Sequence, residues 1–356
     1  MKAVRYNSSG DLMFSSLPSH TSLPSLPSFP YTSAMRYVLV GNYGTGNFGD
    51  EALKEYFLRA FPDMEWRVLS AHPQLSEYPR LPGGLRSLLL TPWWRTLGVL
   101  HSCNGVVFGG GTLFTDTESV CACLLWWWHA FVSWLFRKKI ILAFQGIGPF
   151  RTRVGEWCAR WVVIHAAFVS VRDAASARRV AAWGLNKNIV LTFDPIFSLF
   201  KEKKQNTGSQ KLLVIIPRKN SPAAFIGRAV ELSKRSVWGE IQILSLAPGN
   251  REEQAVCRAL AHALAVPSES IVPIWSADVL AALVSGATFV FSQRYHGALA
   301  ALALGIPFEV MSQREGDKLS MLSSVSVPAA LDLLRDGEQA LRRVLLTDKS
   351  GSATIQ

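Results

Sequence analysis

The sequence lacks the residue patterns of several common protein classes. Its five cysteines, with Cys121 and Cys123 only two positions apart, form neither a disulfide framework nor a four-ligand zinc set, which favours a reducing compartment. No serine occupies a Gly-x-Ser-x-Gly elbow, and no Gly-Lys-Ser/Thr follows a glycine-rich turn. We therefore expect no metal, no cofactor, no serine nucleophile and no Walker-type nucleotide site.

Acidic residues are scarce in the first part of the chain. Residues 1–210 contain 22 Lys and Arg against 13 Asp and Glu, whereas residues 211–356 contain 15 against 13. The first half is therefore expected to meet an anionic partner. No long Lys/Arg tract, zinc-finger spacing or RNP-like motif supports nucleic acid, which leaves a phosphorylated substrate or an anionic membrane. A basic solubilising face around a large aromatic core is the alternative.

Long uninterrupted apolar runs are also rare. Residues 1–34 lack the apolar core of a signal peptide and repeat Ser, Leu and Pro, so we expect a flexible extension ahead of a second candidate start at Met35. Residues 119–136 carry no formal charge, but they lie between two predicted parallel strands, where a crossover helix is required. We therefore expect a buried or interfacial helix there.

Tryptophan and arginine are both concentrated in the first half. Ten of the 12 tryptophans precede residue 184, and tryptophan beside arginine is typical of a membrane-interface surface. Residues 85–100, with Trp93, Trp94 and Arg95, could dock on a membrane that carries a lipid-linked acceptor, although a core helix is the alternative that we favour. The expected location is cytoplasmic, and a peripheral contact at the membrane is the alternative.

Short apolar runs alternate with helical patterns from residue 36 onward, which indicates an α/β protein with parallel sheets covered on both faces. Strands are predicted at residues 37–40, 66–69, 105–108, 140–144, 168–171, 189–191, 212–216, 241–244, 271–273, 289–291 and 308–311. Helices are predicted at residues 50–61, 119–136, 222–235, 252–265, 277–285 and 298–304. The polar, charged residues 201–210 indicate a linker between a first domain, 35–200, and a second, 211–345, which is followed by a tail, 346–356.

Candidate ligand-binding turns follow several predicted strands, at the carboxyl ends where such folds bind substrates. Asp50 and its neighbour Glu51 either favour the first helical turn or bind an acceptor hydroxyl. The glycines allow tight turns and close backbone approach to a ligand, or merely let the strands turn. The candidate acceptor or loop residues in these turns are Gly44, Asn47, Asp50, Gly110, Gly111 and Gln145.

Basic residues also follow predicted strands. Arg172 comes directly after residues 168–171, where it either pairs with Asp173 at a helix cap or points into a cleft to bind a carboxylate or phosphate. Arg218 has the same topological position in the second domain. Lys318 ends a polar loop, for which a solvated surface charge is the alternative.

The stretch 289–307 contains the sharpest chemical signal. A short apolar strand leads through Arg294 and His296 into an Ala/Leu helix stopped by Gly305. A helix start offers free N–H groups, so a basic pair there predicts an anion cradle with a proton donor inside it. The histidines within helical patterns are expected to be packing or surface residues, namely His101, His129, His165 and His262.

Six motifs in order resemble the polysaccharide pyruvyl transferase family, from about residue 35 to residue 318. They are Gly41-Asn-Tyr-Gly-Thr-Gly-Asn-Phe-Gly-Asp-Glu51, Gly109-Gly-Gly111, Gln145-Gly-Ile-Gly-Pro149, Val171-Arg-Asp173, Asp194-Pro195 and Arg294-Tyr-His296. The resemblance implies two facing Rossmann-like domains with a cleft between them, as in the GT-B glycosyltransferases, with the first domain on the acceptor side.

The resemblance also implies a reaction. A pyruvyl group would pass from phosphoenolpyruvate to two hydroxyls of one sugar in a cell-surface polysaccharide or its precursor, giving a ketal and phosphate without a metal. His296 would be the general acid, charged by the bound substrate, and Arg172 and Lys318 would bind phosphoenolpyruvate. Arg294, as a helper, and Arg218 are added as further phosphoenolpyruvate-binding residues. The alternatives are a GT-B glycosyltransferase that uses a sugar nucleotide and a non-catalytic protein that binds anions or membranes.

Overall fold

The computed structural model describes residues 35–200, 211–312 and 318–347, without the side chains of Lys318 and Ser320. The extension predicted at residues 1–34, the linker at 201–210 and the tail from residue 348 onward lie outside the described residues. Within the described residues the strands form two sheets, and all the paired strands are parallel.

The first sheet has the order β3-β2-β1-β4-β5-β6-β7 and the second the order β10-β9-β8-β11-β12. The strands are β1 Met35–Val40, β2 Met64–Ser70, β3 Tyr78–Pro79, β4 Gly105–Gly109, β5 Lys139–Gln145, β6 Phe168–Val171, β7 Ile189–Leu191, β8 Leu212–Ile216, β9 Glu240–Ser245, β10 Ile271–Pro273, β11 Phe289–Ser292 and β12 Phe308–Val310.

Helices connect the strands of both sheets. They are α1 Phe48–Ala60, α2 Leu85–Leu90, α3 Trp94–Ser102, α4 Val120–Leu135, α5 Arg153–His165, α6 Ala174–Ala181, α7 Phe197–Phe200, α8 Ala223–Lys234, α9 Arg251–Ala263, α10 Ala277–Ser285, α11 Tyr295–Leu304, α12 Lys318–Met321 and α13 Val327–Leu346. Short 3-10 turns cover Ser268–Ser270 and Leu322–Ser324.

The α/β class and the two parallel sheets predicted from the sequence are confirmed. Every predicted strand overlaps an observed one, because each is a short apolar run, and the central strands β1, β4 and β8 are almost entirely buried. Strand β3 was missed, since its two residues give no periodic signal. Helix α11 begins at Tyr295, three residues before the predicted start, so that His296 lies in its first turn.

Alternating side chains of the first sheet supply two separate cores. Tyr37 and Leu39 of β1 pack in the core that also contains Phe57 of α1. Val38 and Val40 point to the opposite face, into a core shared with Trp126 of α4. This period-2 alternation on a strand buried on both sides is what places helices on both faces of the sheet.

The apolar segment at 119–136 forms helix α4, which connects the parallel strands β4 and β5 as expected. Among the described residues, no helix is both long and apolar enough to span a bilayer. The favoured interpretation of residues 85–100 as a core helix is wrong for the first part, because none of the residues of α2 is buried. Val99 and Leu100 of α3 do lie in the core.

Helix α13 packs against the first sheet although it follows the second in sequence. Tyr37 Oη donates to the Leu345 carbonyl at 2.9 Å, and Tyr56 Oη donates to Glu338 Oε1 at 2.8 Å. Thr192, at the end of β7, donates through Oγ1 to the Leu333 carbonyl at 3.0 Å. The chain therefore returns to its first half, and the domain boundaries given above stay a prediction.

Close packing of α13 predicts a size limit at Gly337. A Cβ atom at this position would lie 2.3 Å from Thr192 Oγ1 and 3.2 Å from Phe144 Cε1. We expect Gly337→Ala to lower the free energy of unfolding by about 1–3 kcal/mol, as overpacking of a core does, measured by urea denaturation. Gly227→Ala in α8, where nothing lies within 4 Å of the added Cβ, is the control. It should be neutral or stabilising by up to about 1 kcal/mol. Equal effects of both changes would contradict the packing argument.

His129 of α4 is buried and neutral. Its Nε2 accepts a hydrogen bond from the Leu81 amide at 2.9 Å, so Nδ1 carries the proton and faces the Leu125 carbonyl at 2.7 Å. Burial lowers the pKa of His129 to about 4 from its usual 6.5. Protonation of Nε2 would replace this acceptor with an N–H group that faces the Leu81 N–H, and the hydrogen bond would be lost. Low pH must therefore favour the unfolded chain.

This shift predicts a pH-dependent stability. Between pH 6.5 and pH 4 the unfolded chain binds a proton at His129 that the folded protein does not. As the pH rises through this window, the wild type should gain about 3 kcal/mol of unfolding free energy that His129→Gln does not gain. Urea denaturation at a series of pH values measures the difference. The exposed His262→Gln should follow the wild type, and parallel curves for all three proteins would contradict the assignment.

Candidate functional site

His296 is positioned by the tight packing of α11 on the second sheet. Arg294 is the residue that precedes the helix, and its amide donates to Ser292 Oγ at 3.1 Å while Ser292 Oγ donates to its carbonyl at 2.8 Å. Gly297 allows the close approach, because a Cβ there would lie 2.5 Å from Ile216 Cδ1 of β8. The helix start, and His296 with it, is thereby fixed at the carboxyl end of the sheet.

The His296 ring lies against the start of α1, which belongs to the first half of the chain. A Cβ atom on Gly49 would be 2.1 Å from His296 Cε1, so only glycine fits there. The Phe48 ring meets the imidazole edge to face, with centroids 6.2 Å apart. The Phe48 amide also donates to the Leu246 carbonyl at 3.0 Å. The imidazole therefore lies at a junction of the two halves.

Asp194 connects His296 to the first sheet. This carboxylate is fully buried, and its Oδ2 lies 4.0 Å from His296 Nε2. The same Oδ2 accepts a hydrogen bond from Arg172 Nη1, while Oδ1 accepts from the Ile196 amide at 3.2 Å. The motif Asp194-Pro195 contributed to the family resemblance, but the sequence analysis gave Asp194 no role.

Arg172 is almost completely buried at the end of β6. Its Nη2 donates to Thr112 Oγ1 at 2.9 Å, and its guanidinium carbon lies 5.7 Å from the centre of the Tyr295 ring. Burial works to lower the pKa of Arg172, but Asp194 outweighs it and raises that pKa above its usual value. Asp173 caps α6 by accepting the Ser176 amide at 2.7 Å. Asp173 is thus the cap, while Arg172 points to the site.

Residues 41–47, which we call the first glycine turn, lead into α1, where Asp50 lies near Arg172. Asp50 Oδ2 accepts hydrogen bonds from Asn42 Nδ2 at 2.9 Å and Asn47 Nδ2 at 2.7 Å. Burial raises the pKa of Asp50, although both amides act in the opposite direction. Gly44, at φ +76°, donates its amide to Glu51 Oε1 at 2.6 Å. Asn47 and Gly44 therefore shape the turn around the two carboxylates.

Residues 109–112, which we call the second glycine turn, are held in place by Gln145. Gly110 and Gly111 have φ angles of +78° and +81°, and a Cβ on Gly111 would be 3.7 Å from Asp50 Oδ1. Gln145 is fully buried and donates through Nε2 to the carbonyls of Phe108 at 2.9 Å and Gly110 at 3.0 Å. A β-bulge before Gln145, with Phe144 at φ +54°, redirects this side chain.

Sequence reasoning missed Arg80, which fastens the first glycine turn. Its Nη2 donates to the carbonyls of Tyr43 at 2.7 Å and Gly41 at 3.2 Å. The guanidinium also lies 4.9 Å from the centre of the Trp126 ring. No motif surrounds Arg80 in the sequence, and its partners are backbone atoms distant along the chain, so no local signal identifies it.

The remaining predicted cations have other neighbours. Arg294 Nη2 bonds to Glu253, a buried carboxylate that also accepts the Ala247 amide at 2.7 Å. Arg218 Nη2 lies 3.3 Å from Glu118 Oε1, and both side chains are partly exposed. Lys318 is the first residue of α12, and its side chain lies outside the described residues. The structure therefore brings together His296, Asp194 and Arg172, with the glycine turns beside Asp50.

Metal-ligating side chains do not cluster within residues 35–200, 211–312 and 318–347. No group of three His, Cys, Asp or Glu residues there could hold a metal ion. The metal-free and cofactor-free mechanism stays a prediction. The described site brings the Arg172 guanidinium and the His296 imidazole to the Asp194 carboxylate, with Asp50 nearby, which suits proton transfer beside an anionic ligand.

Solved structures with similar folds are GT-B proteins. The Anabaena protein HepE in complex with UDP-glucose matches with a TM-score of 0.52 and 9% identity over 88% of this chain and 96% of its own. The UDP-GlcNAc 2-epimerase from Methanocaldococcus jannaschii matches with a TM-score of 0.51 and 11% identity over 87% and 99%. At this identity the likeness shows the fold alone, and it confirms the predicted GT-B-like architecture of two parallel α/β sheets.

Sequence comparison gives the family. No curated protein sequence matches the chain significantly. A family model described as polysaccharide pyruvyl transferase matches residues 47–313, which is most of the chain and includes Asp50, Arg172, Asp194 and His296. The resemblance expected from the six motifs is thereby confirmed, and the chain belongs to the polysaccharide pyruvyl transferase family.

Proposed function

We propose that the chain transfers a pyruvyl group from phosphoenolpyruvate to two hydroxyls of one sugar in a polysaccharide or its precursor, forming a cyclic ketal and releasing phosphate. Family membership supports pyruvyl transfer to a polysaccharide. The observation that carries the donor assignment is the contact of Arg172 and His296 with the same buried carboxylate, Asp194. This contact supports our assignment of Arg172 as an anion-binding fork and of His296 as a proton donor beside it.

The donor carries a phosphate and a carboxylate, so several cations are needed to bind it. We assign Arg172 to the donor, with Asp194 holding its guanidinium in a fixed plane. Arg218 is a second donor ligand, because its contact with the exposed Glu118 is weak enough to be exchanged for a phosphate. Lys318 is proposed as a third ligand. Arg294 acts as a helper that positions the start of α11 through Glu253.

The chemistry begins with protonation of the donor methylene carbon by His296, which turns the enol carbon into an electrophile. A sugar hydroxyl attacks this carbon and gives its proton to Asp50, whose raised pKa suits a base. The bond from carbon to the phosphate oxygen breaks, and the second hydroxyl attacks the same carbon. Asp50 passes the proton of the first hydroxyl to the departing phosphate, and the proton of the second hydroxyl returns to His296, so both residues regain their starting states and charge and atoms balance.

The acceptor is assigned to the glycine turns of the first half. Gly111 lies next to Asp50, since a Cβ atom added to this glycine would be 3.7 Å from Asp50 Oδ1, and we assign the sugar to this edge of the carboxylate. A lipid-linked sugar precursor is the acceptor class that we propose. The competing function is glycosyl transfer from a sugar nucleotide, since HepE shares this fold and was solved with UDP-glucose.

An acceptor screen tests the proposal. Phosphoenolpyruvate and a panel of sugars are incubated with the protein, and phosphate release is compared with the product mass. The expected product is heavier than the acceptor by pyruvic acid less one water. Glycosyl transfer would instead be supported if a nucleotide sugar stabilised the folded protein and no phosphate was released from phosphoenolpyruvate. Binding of anions without turnover of either donor would point to a non-catalytic protein.

The general acid is tested by His296→Gln. Glutamine fills a similar space beside Gly49 but cannot protonate carbon, so kcat should fall by roughly 10²–10⁴-fold while KM for phosphoenolpyruvate changes little. Steady-state phosphate release measures both constants. His262→Gln, at an exposed position on α9, should leave both unchanged. Full turnover by the His296 variant would remove this residue from the mechanism.

The donor fork is tested by Arg172→Lys. Lysine keeps the charge next to Asp194 but loses the planar pair of donors, so KM for phosphoenolpyruvate should rise about tenfold or more with a smaller change in kcat. The exposed Arg258→Lys on α9 is the matched control. If the variant folds with wild-type stability and keeps its donor KM, phosphoenolpyruvate does not bind at Arg172.

A further inference from the structure

One helix layer of the first sheet has an unusual outer surface. Val99 of α3, Trp126 of α4 and Val162 of α5 all pack in the same core on one side of the sheet. Helix α2 joins this layer, because a Cβ on Gly83, just before it, would lie 3.0 Å from Leu125 Cδ1 of α4. The outward residues of α2, α3, α4 and α5 therefore belong to one side of the sheet, which we call the α2–α5 face.

Helix α2 contains four leucines, and all four are exposed. Leu85 is 78%, Leu89 77% and Leu90 72% exposed, and Trp94 at the start of α3 is 62% exposed. Trp93 Nε1 donates to the Leu88 carbonyl at 2.9 Å, which ties α2 to α3. Leaving this many large apolar side chains in water is unfavourable at roughly 25 cal/mol per Å², and such contiguous exposure marks an interaction site.

Aromatic rings continue this face across α4 and α5. Trp157 contacts Trp127 with centroids 5.5 Å apart, and Trp127 stacks on Phe131 at 5.2 Å. Phe131 in turn stacks on Trp134 at 6.0 Å. Trp134 and Trp157 remain about half exposed at the ends of this row. Tryptophan side chains in this half-exposed state are those that favour a membrane–water interface.

The charge of the α2–α5 face is positive. The four helices carry exposed arginines at positions 86, 95, 153 and 160, and their single acidic residue is Glu156. Glu156 accepts a hydrogen bond from Trp183 Nε1 at 2.8 Å, outside the four helices. Arginine around exposed leucine and tryptophan is complementary to a surface that is anionic outside and apolar beneath.

We propose that the α2–α5 face docks on an anionic lipid bilayer, with the leucines of α2 and Trp94 entering the headgroup boundary and the arginines contacting lipid phosphates. A second copy of the chain fits less well, because two such faces would bring the arginines of both copies together. This inference concerns binding to lipid, and it holds whether or not the proposed reaction is correct. With a lipid-linked acceptor, it brings the first half of the chain to the acceptor.

Vesicle co-sedimentation of the full chain tests the proposal. The wild type should bind vesicles of phosphatidylcholine with phosphatidylglycerol and bind pure phosphatidylcholine vesicles at least about tenfold more weakly, with binding reduced by salt. Arg86→Gln combined with Arg160→Gln should weaken binding roughly 30-fold. Leu89→Ser combined with Trp94→Ser should weaken it by about tenfold or more.

Matched controls lie in the second half of the chain. Val237 and Trp275 are 90% and 63% exposed, so Val237→Ser with Trp275→Ser removes similar apolar surface elsewhere. Arg251→Gln with Arg258→Gln removes two exposed charges of α9. Both controls should bind vesicles like the wild type, and circular dichroism and thermal unfolding should show that all variants are folded.

Three results would overturn the proposal: no binding of the wild type to anionic vesicles, equal weakening by the control pairs, or a dimer in solution that Leu89→Ser with Trp94→Ser converts to a monomer. The last result would make the face an interface between two copies. The proposed reaction is tested separately, by measuring phosphate release with a soluble acceptor. The two proposals can therefore fail independently.

Discussion

Asp194 is the buried carboxylate on which the candidate site depends. A fully desolvated charge is tolerated only when it is paired and hydrogen-bonded, and Asp194 receives Arg172 Nη1 and the Ile196 amide. Removing one member of such a pair typically costs about 3–5 kcal/mol. The pair keeps Arg172 in place in the first half, while the contact of Asp194 with His296 reaches the second half. Fold stability and site geometry therefore depend on the same group.

Most of the fold could be predicted because hydrophobic periodicity is a local signal. The strands of both sheets are short apolar runs, and α10 was predicted with the bounds that it has, because its pattern has a clear start at Ser276 and end at Gly286. The start of α11 was missed, because Tyr, His and Gly at its first positions have weak helical propensity and only packing against β8 holds them helical. The exposure of α2 was not predicted, because an apolar run in a sequence does not show whether another element packs over it in the fold.

The site was predicted only where a residue type sits at a recognisable strand end. Arg172 and His296 both contact Asp194, and the second glycine turn lies beside Asp50, while the roles of these residues stay a prediction. Gln145, predicted as an acceptor or loop residue, supports the turn at Gly110, and Arg294 bonds to Glu253. Glu253 and Asp194 are far from their arginines in sequence. Such pairings follow from tertiary contacts, which no local pattern contains.

The absence of a side chain at Gly49 has a consequence for how this sequence can vary. The space that a Cβ would occupy is filled by the His296 ring, which comes from a segment nearly 250 residues away in the chain. The residues at positions 49 and 296 therefore compete for the same space, although they come from different halves of the chain. A larger residue at position 49 is compatible only with a smaller one at position 296. Glycine is therefore required at position 49 as long as position 296 is histidine.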